Sequence, residues 1–189
     1  MAVTSFTEQQ LVEMVDLARH SLLSAFGRCD EPDIPDWLSE PGACFVTLTS
    51  KGQLRGCIGT LEPRVALGRD LFENARRSAF SDPRFAPLGV NELQDIKLEI
   101  SVLTPFSPIA ADSEEALLAQ LRPGRDGLIV EDGVHRATFL PSVWEQLGEP
   151  LEFISALRRK AGLSADAWSD QMRWYRYETQ HAEAALVAK

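Results

Sequence analysis

The stretch Cys44-Phe45-Val46-Thr47-Leu48-Thr49-Ser50-Lys51-Gly52-Gln53-Leu54-Arg55-Gly56-Cys57-Ile58-Gly59-Thr60-Leu61 reads as two strands joined by a tight turn. Its first arm is rich in β-branched and apolar residues. Lys51-Gly52 supplies the turn, and the chain returns from Gln53 to Leu61. A side-chain period of two puts Leu54, Gly56 and Ile58 on one face of the returning strand. Arg55, Cys57 and Gly59 take the other. Two glycines within four residues weaken a strand and admit close approach to its backbone. With an even-residue loop, Cys44, Val46 and Leu48 share the face of Arg55 and Cys57; a three-residue loop reverses that parity. Core packing is the expectation for Cys44 in either register.

Upstream, Thr7 and Gln10 make a capping box. Leu11, Met14, Val15, Ala18, Leu22 and Phe26 then recur at helical spacing until Gly27. Residues 28–42 hold Pro32, Pro35 and Pro41 and read as a connector. Downstream, a helix is expected over 65–80, with Leu67, Leu71, Ala75 and Ala79 as its buried stripe. Asp82-Pro83-Arg84-Phe85-Ala86-Pro87 must run as an extended or turning loop. Asn91 caps a short turn. Leu98 to Thr104 alternates as a strand that Pro105 and Pro108 end. A helix over 113–121 leads to a second hairpin, 128–131 and 134–140, through Asp132-Gly133. Helices over 142–147 and 151–161 and a last strand over 171–178 complete the chain. Hairpins dominate the strand connections and helices intervene in groups. The expected class is therefore α+β, with a largely antiparallel sheet, flanking helices and two unequal lobes, which could share one sheet.

The chain has 189 residues and a net charge of −9, with 44% hydrophobic and 25% charged residues. Those are ordinary globular values for one sizeable core. An acidic chain repels phosphate backbones, and Arg76-Arg77 and Arg158-Arg159-Lys160 read as solvated helix faces rather than nucleic-acid patches. No apolar run approaches the ~18 residues of a membrane span. The first residues lack a secretory leader's basic and apolar regions. A cytoplasmic protein is expected, with Cys29, Cys44 and Cys57 as free thiols. Three scattered histidines without HxH or HExxH spacing give no metal site, and no phosphate-cradling glycine loop appears, so no cofactor is expected.

Leu54-Arg55-Gly56-Cys57-Ile58-Gly59-Thr60 resembles the signature of the AMMECR family, whose bacterial and archaeal members are called AmmeMemoRadiSam system protein A. Other stretches agree in order: Phe45-Val46-Thr47-Leu48, Asn74-Ala75, Asp82-Pro83-Arg84-Phe85, Ile100-Ser101-Val102-Leu103-Thr104, Asp126-Gly127-Leu128-Ile129, Phe139-Leu140-Pro141, and Lys160-Ala161-Gly162-Leu163 with Trp168. The resemblance spans about residues 10–178. It implies a single AMMECR-like domain over 1–189, with two lobes and a cleft near the signature. It also implies an association with Memo-like proteins and radical S-adenosylmethionine enzymes, and no established activity. Many relatives carry a second cysteine where this chain has Arg158, which puts in doubt any mechanism that needs a cysteine pair there.

Residue by residue, two readings stand side by side. Arg55 and Cys57 lie two apart on a strand, with Cα atoms roughly 6.5–7 Å apart. A neighbouring cation favours thiolate over thiol, so Cys57 is a candidate nucleophile and Arg55 its activator and anion binder. Equally, Cys57 reads as a small buried hydrophobe and Arg55 as a surface charge. Glu99, inside an apolar strand, needs a partner such as Arg55 if it is buried, or serves as a base, or faces solvent. Ser101 on the same face is a candidate ligand contact. His135 would be the base if its hairpin met Cys57; otherwise it is structural. Asn74 and Arg84 match family positions as candidate ligand contacts, with Arg84 alternatively bracing its loop through Asp82. His20 and His181 are read as helix or tail surface. Two function classes follow. One is a cysteine-dependent enzyme with a small-molecule or modified-peptide site at Arg55–Cys57. The other is a non-catalytic binding or adaptor module that pairs a partner with the same strand edge.

Overall fold

The computed structural model describes residues 5–187. Along the chain come helix α1 (Glu8–Ala25) and strands β1 (Pro41–Gly42), β2 (Cys44–Ser50), β3 (Gln53–Gly59) and β4 (Val65–Ala66). Helix α2 (Leu67–Phe80), strands β5 (Ile96–Leu103) and β6 (Ser107–Ile109), and helix α3 (Glu114–Leu118) follow. Then come β7 (Gly127–Asp132), β8 (His135–Phe139), α4 (Pro150–Lys160), β9 (Arg173–Tyr177) and β10 (Thr179–Ala185). They divide into two compact units: Ser5–Leu103 with the stretch from Gln180, and Thr104–Thr179.

The larger unit holds a four-stranded sheet in the order β10-β5-β2-β3. Its helices cover one face. Val46 and Leu48 of β2 and Leu98 and Ile100 of β5 are fully buried with Met14, Ala18 and Leu22 of α1 and Leu71 and Ala75 of α2. The capping box at Thr7 and Gln10 starts α1 as expected. Helix α2 lies hard against β3. A Cβ built on Gly56 would stand 2.1 Å from the carbonyl oxygen of Ser78.

The register of the first hairpin decides which side chains share the sheet's other face. The turn is the short Lys51–Gly52 turn, closed by the Ser50↔Gln53 pair, with both turn residues at positive φ. That is the backbone an even hairpin loop uses. The parity nevertheless flips, because a bulge intervenes: Thr49 pairs with Leu54 and Leu48 pairs with Gly56, leaving Arg55 as the extra residue. Cys44, Val46 and Leu48 thus lie with Gly56 and Ile58 toward the helices, and Thr47 stands opposite Cys57. The even loop therefore does not put Cys44 on the face of Cys57.

The smaller unit has its own four-stranded sheet, ordered β6-β9-β7-β8, so the units do not share one sheet. Leu128, Val130, Trp144, Phe153, Leu157 and Trp174 form its core, with Trp144 stacked on Phe153 at 3.9 Å between centroids. The second hairpin turns at Gly133–Val134, since Asp132 pairs with His135. Pro108 sits inside β6 rather than ending a strand, which the edge position of β6 permits. Strand β10 was not expected at all. Its Ala- and Glu-containing sequence carries little of the β-branched signal that marks strands.

Candidate functional site

Three strands of the larger unit place Cys57, Thr47 and Glu99 in one cross-strand row. Thr47 is opposite Cys57 on β3 and opposite Glu99 on β5. Strand spacing sets Cys57 and Glu99 roughly 10 Å apart, on the face turned away from the helices. Cys57 is partly buried and free. The Thr47 hydroxyl donates to its sulfur at 3.3 Å. In the next row Phe45 lies between Gly59 and Ser101. A Cβ on Gly59 would meet the Phe45 ring at 2.3 Å, so the ring lies across bare backbone beside Cys57.

Of the two readings of Arg55, activator of Cys57 or surface charge, the structure shows a guanidinium committed to another carboxylate. Its guanidinium grips Glu92 with Nε to Oε1 at 2.8 Å and Nη2 to Oε2 at 3.1 Å. Glu92 also accepts from the Gly89 N–H at 2.8 Å. The Arg55 bond, helped by that N–H, holds the Glu92 carboxyl below its usual range. Arg55 is not Glu99's partner either.

The cation that reaches Cys57 is Arg84. Cys57 sits on an edge strand, and both of its backbone groups are taken by an ion pair. Its N–H donates to Asp82 Oδ2 at 2.9 Å, and its carbonyl accepts from Arg84 Nη2 at 3.3 Å. Asp82 and Arg84 are themselves joined twice, Nε to Oδ1 at 2.9 Å and Nη2 to Oδ2 at 2.7 Å. The Asp82 side chain is 2% exposed and that of Arg84 54% exposed. The Arg84 bond and the N–H groups of Cys57 and Arg84 drive the Asp82 carboxyl far below the usual carboxylate range, against the opposing effect of burial. Phe85 lies between the two cations, with its centroid 5.9 Å from Arg55 Cζ and 5.5 Å from Arg84 Cζ. Residues 81–95 thus run along β3 and cover its edge. Arg84 braces this loop and also touches Cys57.

Beneath the sheet a second polar cluster surrounds Cys44. Its N–H and its thiol both reach Asp70 Oδ2, at 2.9 and 3.2 Å, and the Thr60 hydroxyl donates to the same oxygen at 2.6 Å. Asn74 is buried here and donates to the Cys44 carbonyl at 3.4 Å. Burial first, then the Asp70 charge, pushes the Cys44 thiol well up. Cys44 is a poor nucleophile. Asn74 anchors α2 to β2 on the helical side, not on the face that carries Cys57.

Glu99 finds its partner on β10. His181 Nδ1 lies 3.5 Å from Glu99 Oε1 and 2.9 Å from Ser101 Oγ. The His181 bond holds the Glu99 carboxyl below its ordinary value, ahead of the opposing effect of burial. Both partners converge on one nitrogen. A carboxylate there favours the proton on Nδ1, so the ring is not arranged to take the Ser101 proton. Glu99 is 42% and His181 48% exposed at the side chain. His181 lies on strand β10 rather than on a surface tail, and the pairing of that strand with β5 brings it to Ser101.

His135 belongs to the smaller unit. Its Nδ1 lies 2.9 Å from the Ala161 carbonyl, and since a carbonyl only accepts, that nitrogen carries the proton. Among the described residues no group of His, Cys, Asp or Glu is placed to hold a metal ion. No helix among them is long and apolar enough to cross a membrane.

Comparison with known proteins identifies the family and the fold. The AMMECR1 family model matches residues 15–182. A Methanothermobacter thermautotrophicus protein is 43% identical over 150 residues, covering 78% of each chain. A Methanosarcina acetivorans protein is 37% identical over 182 residues, covering 92% of this chain and 91% of its own. The crystal structure of the uncharacterised Pyrococcus horikoshii protein PH0010 has a TM-score of 0.81 and 32% identity, covering 94% of this chain and 93% of that one. With its signature hairpin, its antiparallel sheets and a family match across most of its length, the chain belongs to the AMMECR1 family.

Proposed function

We propose that this chain holds a small molecule or a modified peptide against the polar face of its larger sheet, with Cys57 as the thiol that meets the ligand. The observation that carries this is the row Cys57–Thr47–Glu99, in which a hydroxyl donates to the sulfur. A hydrogen-bond donor stabilises thiolate over thiol. Thr47 takes this role: it is the group that touches the sulfur, whereas Arg55 is committed to Glu92 and Arg84 reaches only the Cys57 backbone carbonyl. Glu99, Ser101 and His181 supply polar contacts roughly two to three strand spacings, about 10–15 Å, from the sulfur. That span suits a ligand larger than a few atoms and is too long for a direct thiol–imidazole dyad. In its enzymatic form, the Cys57 thiol loses its proton to solvent and its sulfur displaces a leaving group from an electrophilic carbon of that ligand, the C–S bond forming as the bond to the leaving group breaks, in the setting of the Memo-like and radical S-adenosylmethionine partners that the resemblance implies. Cytoplasmic thiols fit such a role.

The adaptor alternative has less support from the edge of β3, because both backbone groups of Cys57 are already bound by Asp82 and Arg84. Thr47→Val separates a primed thiol from a passive one. It keeps the side-chain shape and removes the donor. Iodoacetamide should then alkylate Cys57 about tenfold more slowly at pH 7. An unchanged rate would remove the priming role. A Cys57→Ser protein that still captures a Memo-like partner at full strength would favour the adaptor.

A further inference from the structure

In a chain of net charge −9, the loop between α3 and β7 gathers positive charge. Arg122 and Arg125 of that loop and Arg176 of β9 surround two carboxylates, Asp126 and Glu178, all within the smaller unit. Asp126 is fully buried and acts as an anchor. Its Oδ2 accepts from the Arg122 N–H and its Oδ1 from Arg122 Nε, both at 2.9 Å, and Arg176 Nη1 lies 3.5 Å from Oδ2. Arg122 is thereby fixed, and its Nη2 reaches on to Glu178 Oε1 at 2.9 Å. Arg125 Nη2 comes to the same carboxylate, 3.3 Å from Oε2. Two guanidinium groups thus converge on one point, and the group at that point is a carboxylate of the chain itself.

That carboxylate is easily displaced. The backbone of Glu178 is held independently of its side chain: its N–H donates to Thr104 Oγ1 at 2.8 Å, and its carbonyl accepts from the Thr104 N–H at 2.9 Å. Only the side chain has to turn. The Glu178 side chain is 39% and that of Arg125 64% exposed, and an ion pair so open to water contributes little. The loop leaves room beside it, since nothing lies within 4 Å of a Cβ built on Gly124. With Glu178 turned away, three guanidinium groups face Asp126 alone, a surplus of two positive charges. A phosphate dianion balances that surplus, and its oxygens match the donor fork of arginine.

We propose that Arg122 and Arg125 bind a phosphate group, free or as a monoester, in the place held by the Glu178 carboxylate, with Arg176 offsetting the charge of Asp126. Glu178 is then a built-in competitor for the ligand. The site is separate from the Cys57 face, which belongs to the larger unit.

The test titrates the full chain with inorganic phosphate and with O-phosphoserine. Ionic strength is held constant with sodium chloride, and the arginine Nε–H groups and the amides of residues 124–127 are followed by nitrogen-15 NMR. Saturable shifts should appear at Arg122 and Arg125. Glu178→Gln removes the tethered competing charge and should lower the half-saturating phosphate about tenfold. Arg125→Gln, a change on an exposed side chain, should raise it about fivefold. Tighter binding of O-phosphoserine than of phosphate assigns the site to a monoester, and the reverse order assigns it to free phosphate. Shifts that do not saturate, a Glu178→Gln protein with the half-saturation of the wild type, or saturable shifts centred on residues 82–85 instead would overturn the proposal.

Discussion

Gly56→Ala should lower the stability of the chain by about 3 kcal/mol or more, measured as the shift in the urea midpoint. The cause is a single close approach. A methyl group at this position would stand 2.1 Å from the Ser78 carbonyl oxygen, and that oxygen belongs to the backbone of α2, which cannot rotate aside. Either the helix moves off the sheet or β3 shifts its register. The first opens the core around Leu71, Ala75 and Ala79, and the second displaces Cys57. Gly148→Ala is the control. Nothing lies within 4 Å of its Cβ position and its φ is not positive, so the change should stay within about 0.5 kcal/mol. Equal effects at the two glycines would mean that α2 does not rest on Gly56.

Asp82→Ala should cost about 3 kcal/mol at pH 7. It removes a buried carboxylate that accepts from the Cys57 N–H, the Arg84 N–H and the Arg84 guanidinium. It leaves the edge of β3 unpaired and frees Arg84. The pH dependence has a definite sign. The folded state holds the Asp82 carboxyl below its unfolded value of about 3.9. Its contribution is therefore fully present above that value and fades as the pH falls toward the folded one. The gap between wild type and Asp82→Ala should be widest near neutrality and narrow below about pH 4. A gap that stays constant down to pH 3 would mean that the Asp82–Arg84 pair is not what supports this edge.

Most of the signature is structural. Gly56 admits α2, Gly59 makes room for the Phe45 ring, Thr60 binds Asp70 and Arg55 binds Glu92. Cys57 alone among the polar and small residues of this stretch turns its thiol onto the polar sheet face, beside Thr47.

Local patterns made the elements legible. The β-branched arm before Lys51-Gly52, the capping box at Thr7 and the apolar stripe of α2 each depend on neighbours a few residues away, and each forms where its pattern lies. What the patterns could not show depends on distant partners. Arg55 meets Glu92 across 37 positions, and Ser101 meets His181 across 80. Alternation alone cannot reveal the bulge at Arg55, because it inserts one residue without changing the local composition; yet it decides that Thr47, not Val46, faces Cys57. Strand β10 hid for a related reason: its pairing with β5, rather than its own propensity, makes it a strand. The ion pair over the backbone of Cys57 was half visible, since Asp82 and Arg84 are two residues apart. That their shared target would be Cys57 was not.

Competitive alkylation of the native protein, read by mass spectrometry at all three cysteines in one sample, tests the site most directly. Cys29 is exposed, Cys44 is sealed beside Asp70, and Cys57 lies between them in exposure. With limiting iodoacetamide at pH 7, Cys57 should be labelled fastest, ahead of the more exposed Cys29, with Cys44 last. Labelling of Cys57 as slow as that of Cys44 would contradict the account and leave the row a structural feature of the sheet.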